Sequence, residues 1–308
     1  VPSGIVRLVV GGDVMLARTI GTAILRDPKA PFARVAETLR DADLAIVNLE
    51  CTLGWKGSAV SKAYRFRGPA SGATALDLAG IDAVSQSNNH ALDYGSTALA
   101  HARQLLTDRG IAVTGAGRNA EAAHRPALLY RNGLRFALLA YTNVPVERGG
   151  FDTRTWTATA TRPGITWVGL TAMRQDIAAA KKVVDHVIVY FHFGYEGVTR
   201  PSESQKTHAR KAIDYGATLV VGTHAHVLQG TERRAGGLIA YGLGNFVFDG
   251  GGWPAISHDG AMLEVRFSQA KLETFRWHPV VLMSNGFPRR ANAAESRRIL
   301  RRVAPIPG

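Results

Sequence analysis

The chain has 308 residues, 46% hydrophobic and 20% charged, the balance of an ordinary globular protein of one large α/β domain or two small ones. No run approaches the roughly 18 consecutive apolar residues of a membrane span, and a single cysteine, Cys51, excludes an internal disulfide framework and a cysteine-cluster metal site. Lysine and arginine number 37 against 24 acidic residues, a formal charge of +13 that favours acidic partners.

In chain order, "IVRLVVGGDVM" reads as a buried strand running into a Gly-Gly turn, and "PFARVAETLRDAD" has helical spacing before a second strand, "DLAIVNLE". "SGATALDLAG" is a short helix ahead of the strand "IDAVSQ". "STALAHARQLLTDRG" is an amphipathic helix with a C-terminal Gly stop, followed by the strand "IAVTGAG". "ALLYRNGLRFALLAY" is two strands around Asn132-Gly133, a strong hairpin signal. Residues 145–167 lack periodicity and read as a long loop. "LTAMRQDIAAAKKVVD" is helical and feeds the near-continuous apolar strand "HVIVYFHFG". "SESQKTHARKAIDYG" is a further helix, and "ATLVVGTHAH", "GLIAYGLGNFVFD" and "AMLEVRFSQAKLETFRWHPVVL" are strand-rich. Alternation in the first half and strand–strand runs later predict an α/β protein, with mixed parallel and antiparallel sheets covered by helices. No internal repeat or linker divides it, so residues 1–287 are expected to form one domain, with 288–308 an Arg-rich tail.

The segment "PRRANAAESRRILRRV" holds six arginines and one glutamate. Arg297, Arg298, Arg301 and Arg302 pair at i,i+4 into one cationic face, which is either a solvated terminal helix or a landing site for an acidic peptide or polymer. Nucleic acid is not expected, because no binding motif with interleaved aromatics accompanies the arginines. The N-terminus shows no basic segment followed by an apolar stretch. The simplest expectation is a cytoplasmic protein; an exported one whose signal or anchor was removed would read the same way. The oligomeric state is not legible.

The strand ends carry the chemistry. The first strand ends on Asp13, the second on Asn48 and Glu50, and the third on Asn88, Asn89 and His90. "HVIVYFHFG" supplies His192 and, just beyond, Glu196, while "ATLVVGTHAH" supplies His224 and His226, whose His-x-His spacing puts both rings on one side of an extended segment. Open α/β sheets bind ligands outside the carboxyl ends of their strands. A mixed oxygen and nitrogen set suits a divalent transition metal (Zn, Mn, Fe or Ni) rather than calcium, and the number of ligands allows one ion or two bridged by Glu50.

Together "GGDVMLAR", "VNLE", "SNNHALDYG", "FHFGYE", "GTHAHVLQG" and "YGLGNFVFD" resemble the CapA (poly-γ-glutamate capsule synthesis) family over residues 5 to 250, a branch similar to the calcineurin-like metallophosphoesterases. The resemblance implies an αββα sandwich of two mixed sheets. It places Asp13, Glu50, Asn89, His192, His224 and His226 on metal-ligand positions and His90 on the histidine that assists the leaving group. Asp93 would orient that ring, and Glu196 would be a second base or a contact for a substrate amine. Tyr195 and Asn245, within the matching motifs, join Arg297 and Arg301 as candidate substrate contacts. Phosphoesterases carry a histidine two residues after the first aspartate, where this chain has Met15, and Glu50 replaces a shorter aspartate, so the resemblance weakens at phosphoester chemistry. Cys51 reads as a small buried residue.

The resulting expectation is a metal-dependent enzyme acting on a peptide or γ-glutamyl chain, with His90 titrating near neutrality as acid/base. The alternatives are a peptide Cα epimerase of a ribosomal-peptide pathway using two bases, a phosphoesterase, and a non-catalytic scaffold of a polymer synthase.

Overall fold

The structure, a computed structural model, describes residues 4–147, 149–249 and 258–306. The first half comprises β1 (Val6–Val14), α1 (Arg18–Arg26), α2 (Ala36–Arg40), β2 (Leu44–Leu49), β3 (Thr52–Leu53), β4 (Arg67–Gly68), α3 (Ser71–Ala79) and β5 (Ala83–Ser85). It continues through α4 (Gly95–Thr107), β6 (Ala112–Thr114), β7 (Ala116–Gly117), α5 (Ala120–His124), β8 (Ala127–Arg131) and β9 (Leu134–Asn143). Then come β10 (Gly164–Ile165), α6 (Leu170–Ala180), β11 (His186–Phe193), α7 (Glu203–Tyr215), β12 (Leu219–His224), β13 (Leu228–Arg234), β14 (Gly237–Leu243) and β15 (Asn245–Val247). The chain closes with β16 (Asp259–Phe267), β17 (Leu272–Leu282), β18 (Pro288–Arg290) and α8 (Ala293–Arg302).

Two mixed sheets carry the fold. One runs β18-β17-β16-β1-β2-β5-β6, with β15 also paired to β1; the other runs β13-β14-β12-β11-β9-β8. Within the first, β1, β2, β5 and β6 are parallel. In the second, β9, β11, β12 and β14 are parallel. The inner faces meet in a shared core that includes Leu8, Val10, Ile46 and Leu263 from one sheet and Leu138, Ile188, Tyr190 and Val221 from the other. Outside the first sheet α1, α2, α3 and α4 pack over Val9, Val47 and Leu49, and outside the second α6 and α7 pack over Tyr141, Val189 and Phe191. This is the expected αββα sandwich. A strand covered on both faces has no polar side, which is why all eight residues of β11 are buried.

Local signals explain several boundaries. Asn132 and Gly133 have φ of 49° and 83°, and β8 and β9 pair around them as the hairpin expected there. Helix α7 opens on a capping box between Ser202 and Gln205. Two readings change. Gly11 and Gly12 lie inside β1 rather than in a turn after it. The "PFARVAETLRDAD" helix is a single 3-10 turn followed by the five-residue α2. Among its described residues, the aperiodic 145–167 stretch holds a 3-10 turn at Thr153–Trp156, the two-residue β10 and isolated bridges such as Val146 to Asp152.

The Arg-rich segment is built into the sandwich. β18 pairs with β17 at the sheet edge, and α8, capped by Asn292 and Glu295, buries Ile299 against Leu228, Ala261 and Val281. Residues 307 and 308 lie outside the described residues. Among the described residues no helix is long and apolar enough to cross a membrane, which says nothing of a β-barrel.

Candidate metal centre

The parallel strands of both sheets end at one edge, and there the polar strand-end residues converge. The Gly-Gly pair makes this possible: a Cβ on Gly12 would collide with the Gly244 carbonyl oxygen, which instead accepts a hydrogen bond from the Asp13 N–H at 3.1 Å. The register of β1 shifts between Val10 and Asp13, and β15 runs alongside from Asn245. Asp13 is thereby held at the edge with no exposure to solvent.

Three groups of ligand atoms lie within 4.8 Å of one another: Glu50, His192 and His224; Asp13, Glu50 and His226; and Glu196, His224 and His226. Glu50 belongs to two of them, the position of a bridging ligand. Asn89 Oδ1 joins the first group, 2.7 Å from His192 Nε2. His226 Nδ1 is 3.5 Å from Asp13 Oδ2, and its Nε2 is 3.8 Å from Glu50 Oε1. The six residues expected as ligands are therefore neighbours, and Glu196, expected as a base, stands at ligand distance from two histidines.

The donor set fits a cation on the structure's own terms. Both oxygens of the buried Glu50 carboxylate, and Nδ1 of His224, have no hydrogen-bond partner. Unsatisfied buried polar atoms cost about 1–3 kcal/mol each, more when charged, so their convergence calls for a ligand that the protein alone does not supply. Burial drives the Glu50 carboxyl well above its ordinary pKa, and the negative charges of Asp13 and Glu196 push the same way. Burial also raises Asp13, against the opposing influence of His226. His192 and His224 are driven well below their ordinary value, first by burial and then by neighbouring imidazoles. Neutral imidazoles with lone pairs are the form that binds a metal.

The backbone is strained at the same place. His224 and His226 have φ of 84° and 56°, so the His-x-His segment is not extended, although the two rings still lie with centroids 5.9 Å apart. Non-glycine residues in this region cost on the order of 1–3 kcal/mol each. Part of the restraint is visible: the His224 N–H donates to Asp13 Oδ2 at 3.1 Å.

Partners behind the ligands fix their aim. The Asn48 amide donates to Asp13 Oδ1 at 2.8 Å and lies 3.2 Å from His192 Nδ1, with the Thr223 hydroxyl 3.1 Å from the same nitrogen. The Asn88 amide bonds Asn48 Oδ1 and the Leu49 carbonyl, while its Oδ1 accepts the His90 N–H. Asn88 is thus the turn former and Asn89 the ligand-side amide. Asn245 Oδ1, of a residue expected as a substrate contact, sits 2.7 Å from His226 Nδ1, where it is placed to orient that imidazole.

His90 belongs to a second network. Its Nδ1 lies 2.7 Å from Asp93 Oδ2, its ring stacks on Phe66 at 3.9 Å, and Asp93 also accepts the Phe66 N–H. Burial lowers the imidazole to about 4, with Asp93 opposing and Lys62 assisting, so the ring is neutral at pH 7 rather than poised to titrate there. Lys62, which sequence reasoning overlooked, is buried at the centre: Nζ reaches the Asn89 carbonyl, Asp93 and Glu147, each at 2.7 Å. Burial raises Glu147 to about 7 against the pull of Lys62. A lone lysine in a polar loop offered no signal, whereas Asn48, two residues before Glu50 on the same strand end, did.

The remaining candidates belong to none of the ligand groups. Tyr195 is exposed. Arg297 and Arg301 are exposed on α8, which packs on β13, β16 and β17. Met15 is wholly buried in the helix-side core, its sulfur accepting the Ala17 N–H at 3.1 Å. Cys51 is buried as expected, and that burial lifts its thiol to about 12.

Known proteins place the chain in a family. The chain is 28% identical over 249 residues to the capsule biosynthesis protein CapA of Bacillus anthracis, covering 78% of this chain and 59% of that protein. It is 31% identical over 198 residues to the PGA biosynthesis protein CapA of Bacillus subtilis (strain 168), covering 64% and 50%. The chain thus spans between half and three fifths of these relatives. A crystal structure of a hypothetical protein from Thermus thermophilus superposes with a TM-score of 0.54 over 89% of this chain and 98% of that one, at 16% identity, a likeness of fold alone. Residues 7–250 match the family model of the bacterial capsule synthesis protein PGA_cap, and the chain belongs to that family.

Proposed function

We propose that this protein is a metal-dependent enzyme acting on a peptide or γ-glutamyl-type chain in the synthesis of an acidic capsule polymer. The observation that carries the reading is the set of buried, unpartnered atoms at Glu50 and His224 inside overlapping ligand clusters. Glu50, Asn89, His192 and His224 would hold one divalent ion (Mn, Zn, Fe or Ni), and Asp13, Glu50 and His226 a second. Such an ion, when bound, supplies Lewis acidity toward a carbonyl or a water.

The chain's own residues do the rest. Asp93, fixed by Lys62 and the Phe66 N–H, holds His90 through Nδ1 and leaves Nε2 to accept a proton and return it. A neutral imidazole at pH 7 begins as the base. Asn245 and Asn48 hold the rings of His226 and His192 in register. Arg297 and Arg301, which form no ion pair among the described residues, attract an acidic chain to the surface. Met15, turned into the core, leaves the second group without a further imidazole, which disfavours phosphoester hydrolysis.

The test is turnover of a synthetic γ-glutamyl oligomer, read by mass spectrometry, with Mn- or Zn-loaded and chelated full-length protein. His90→Asn should keep its metal and lose activity roughly 10²–10⁴-fold, while Asn89→Ala should lose metal. Deuterium uptake from solvent without cleavage would replace this reading with epimerisation. Metal-loaded protein inert toward γ-glutamyl and peptide chains alike would leave a scaffold.

A further inference from the structure

Outside the strand-end site, a cleft of about 350 Å³ lies on the outer face of α4, within the size range of small-ligand sites. Leu99 and Ala100 of α4, Ala122 of α5 and Pro163 supply an apolar wall, and two arginines, Arg103 and Arg118, line it as well. Asp93 precedes α4 by two residues, so the cleft sits behind the segment that carries His90 and shares no residue with the ligand clusters.

Arg103 is the anomaly. Its Nη1 is buried and meets no acceptor. Three other partly buried arginines also have an unbonded nitrogen, yet each is otherwise engaged: Arg7 pairs with Glu264, Arg302 with Asp259, and Arg67 donates to three carbonyls. Among the described residues the side chain of neither Arg103 nor Arg118 makes an ion pair or a hydrogen bond. Burial with no balancing charge lowers the Arg103 pKa. A desolvated guanidinium in the wall of a cleft is costly unless an acceptor arrives with a ligand.

We propose that this cleft binds a small amphipathic anion, an acidic head of carboxylate or phosphate on an aliphatic body, with Arg103 gripping the head and Arg118 at the exposed mouth. The planar fork of a guanidinium matches the oxygen pair of either head, and the wall of Leu99, Ala100, Ala122 and Pro163 takes the body.

Calorimetric titration of the full chain with hexanoate, hexyl phosphate and neutral hexanol tests it. One or both anions should bind saturably and at least about tenfold tighter than hexanol, as one charge-assisted hydrogen bond requires. The tighter anion identifies the head. Arg103→Met should weaken that anion at least about tenfold, and should raise the thermal midpoint of the unliganded protein because an uncompensated charge is gone. Ala100→Trp, at an exposed helix position, should block the cleft and abolish binding without disturbing the fold. No preference for the anions over hexanol, or equal anion affinity in Arg103→Met or Ala100→Trp, overturns the proposal.

Discussion

The strand-end cluster and the C-terminal segment are both dense in charge, and they treat it in opposite ways. Around α8 the charges are largely answered: Arg298 and Arg302 meet Asp259, Arg289 meets Glu295, and Arg290 meets Glu37. At the strand ends, Glu50 is wholly buried with neither oxygen bonded, and two histidines sit in left-handed backbone. The segment that looks most conspicuous in sequence is largely architecture, whereas the quieter cluster carries unspent interaction energy. Density of charge is a poor guide to function; unanswered charge is a better one.

The sharpest way to break that contrast is Glu50→Gln. Because Glu50 belongs to two ligand groups, metal affinity should fall more than about 10³-fold, beyond the 10–100-fold typical of an outer partner. The melting point of the chelated protein should rise near neutral pH, since a buried carboxyl that folding raises well above its ordinary range has been removed. Unchanged metal titration, or a lower apo melting point, would mean that Glu50 is a satisfied structural residue.

Lys62→Met probes a buried charge that is answered, so its sign should be reversed. With Asp93 and Glu147 left in the interior without their shared cation, denaturant unfolding should show a loss of about 3–5 kcal/mol. A neutral result would detach Lys62 from the His90 network.

Ile299→Ala tests whether the C-terminal helix is architecture. The side chain is fully buried, so truncation should cost about 2–5 kcal/mol, read from the same denaturant curves. A cost near zero would return the segment to a solvated appendage.

The smallest effect expected is in acid. Burial alone would raise the Glu264 carboxyl, but hydrogen bonds from His278 and Arg276 and the charge of Arg7 outweigh it and bring it down to about 2. A carboxyl lowered in the folded state contributes fully above its unfolded value, near 4.5, and loses that contribution as pH falls toward 2. Glu264→Gln should therefore melt lower than wild type at pH 6, with the gap closing toward pH 2. A gap independent of pH would show that packing, not charge, is lost.

The sequence alone determined what depends on short-range pattern. Strand and helix periods, the Asn132-Gly133 hairpin and the succession of Asp, Glu, Asn-His, His and His-x-His after apolar runs are local features, readable because side-chain direction repeats every 2 or 3.6 residues. Tertiary structure alone decided which long-range partners meet. Gly12 exists for the approach of Gly244, Lys62 reaches Asp93 from a loop without a pattern, and the arginines of α8 find Asp259 on a neighbouring strand. Those pairings join residues 31 to 232 positions apart in the chain. They are set by how the two sheets stack and where their parallel strands end, and the cost of an unpaired charge, hence the whole case for a metal, depends on a burial that only that stacking creates.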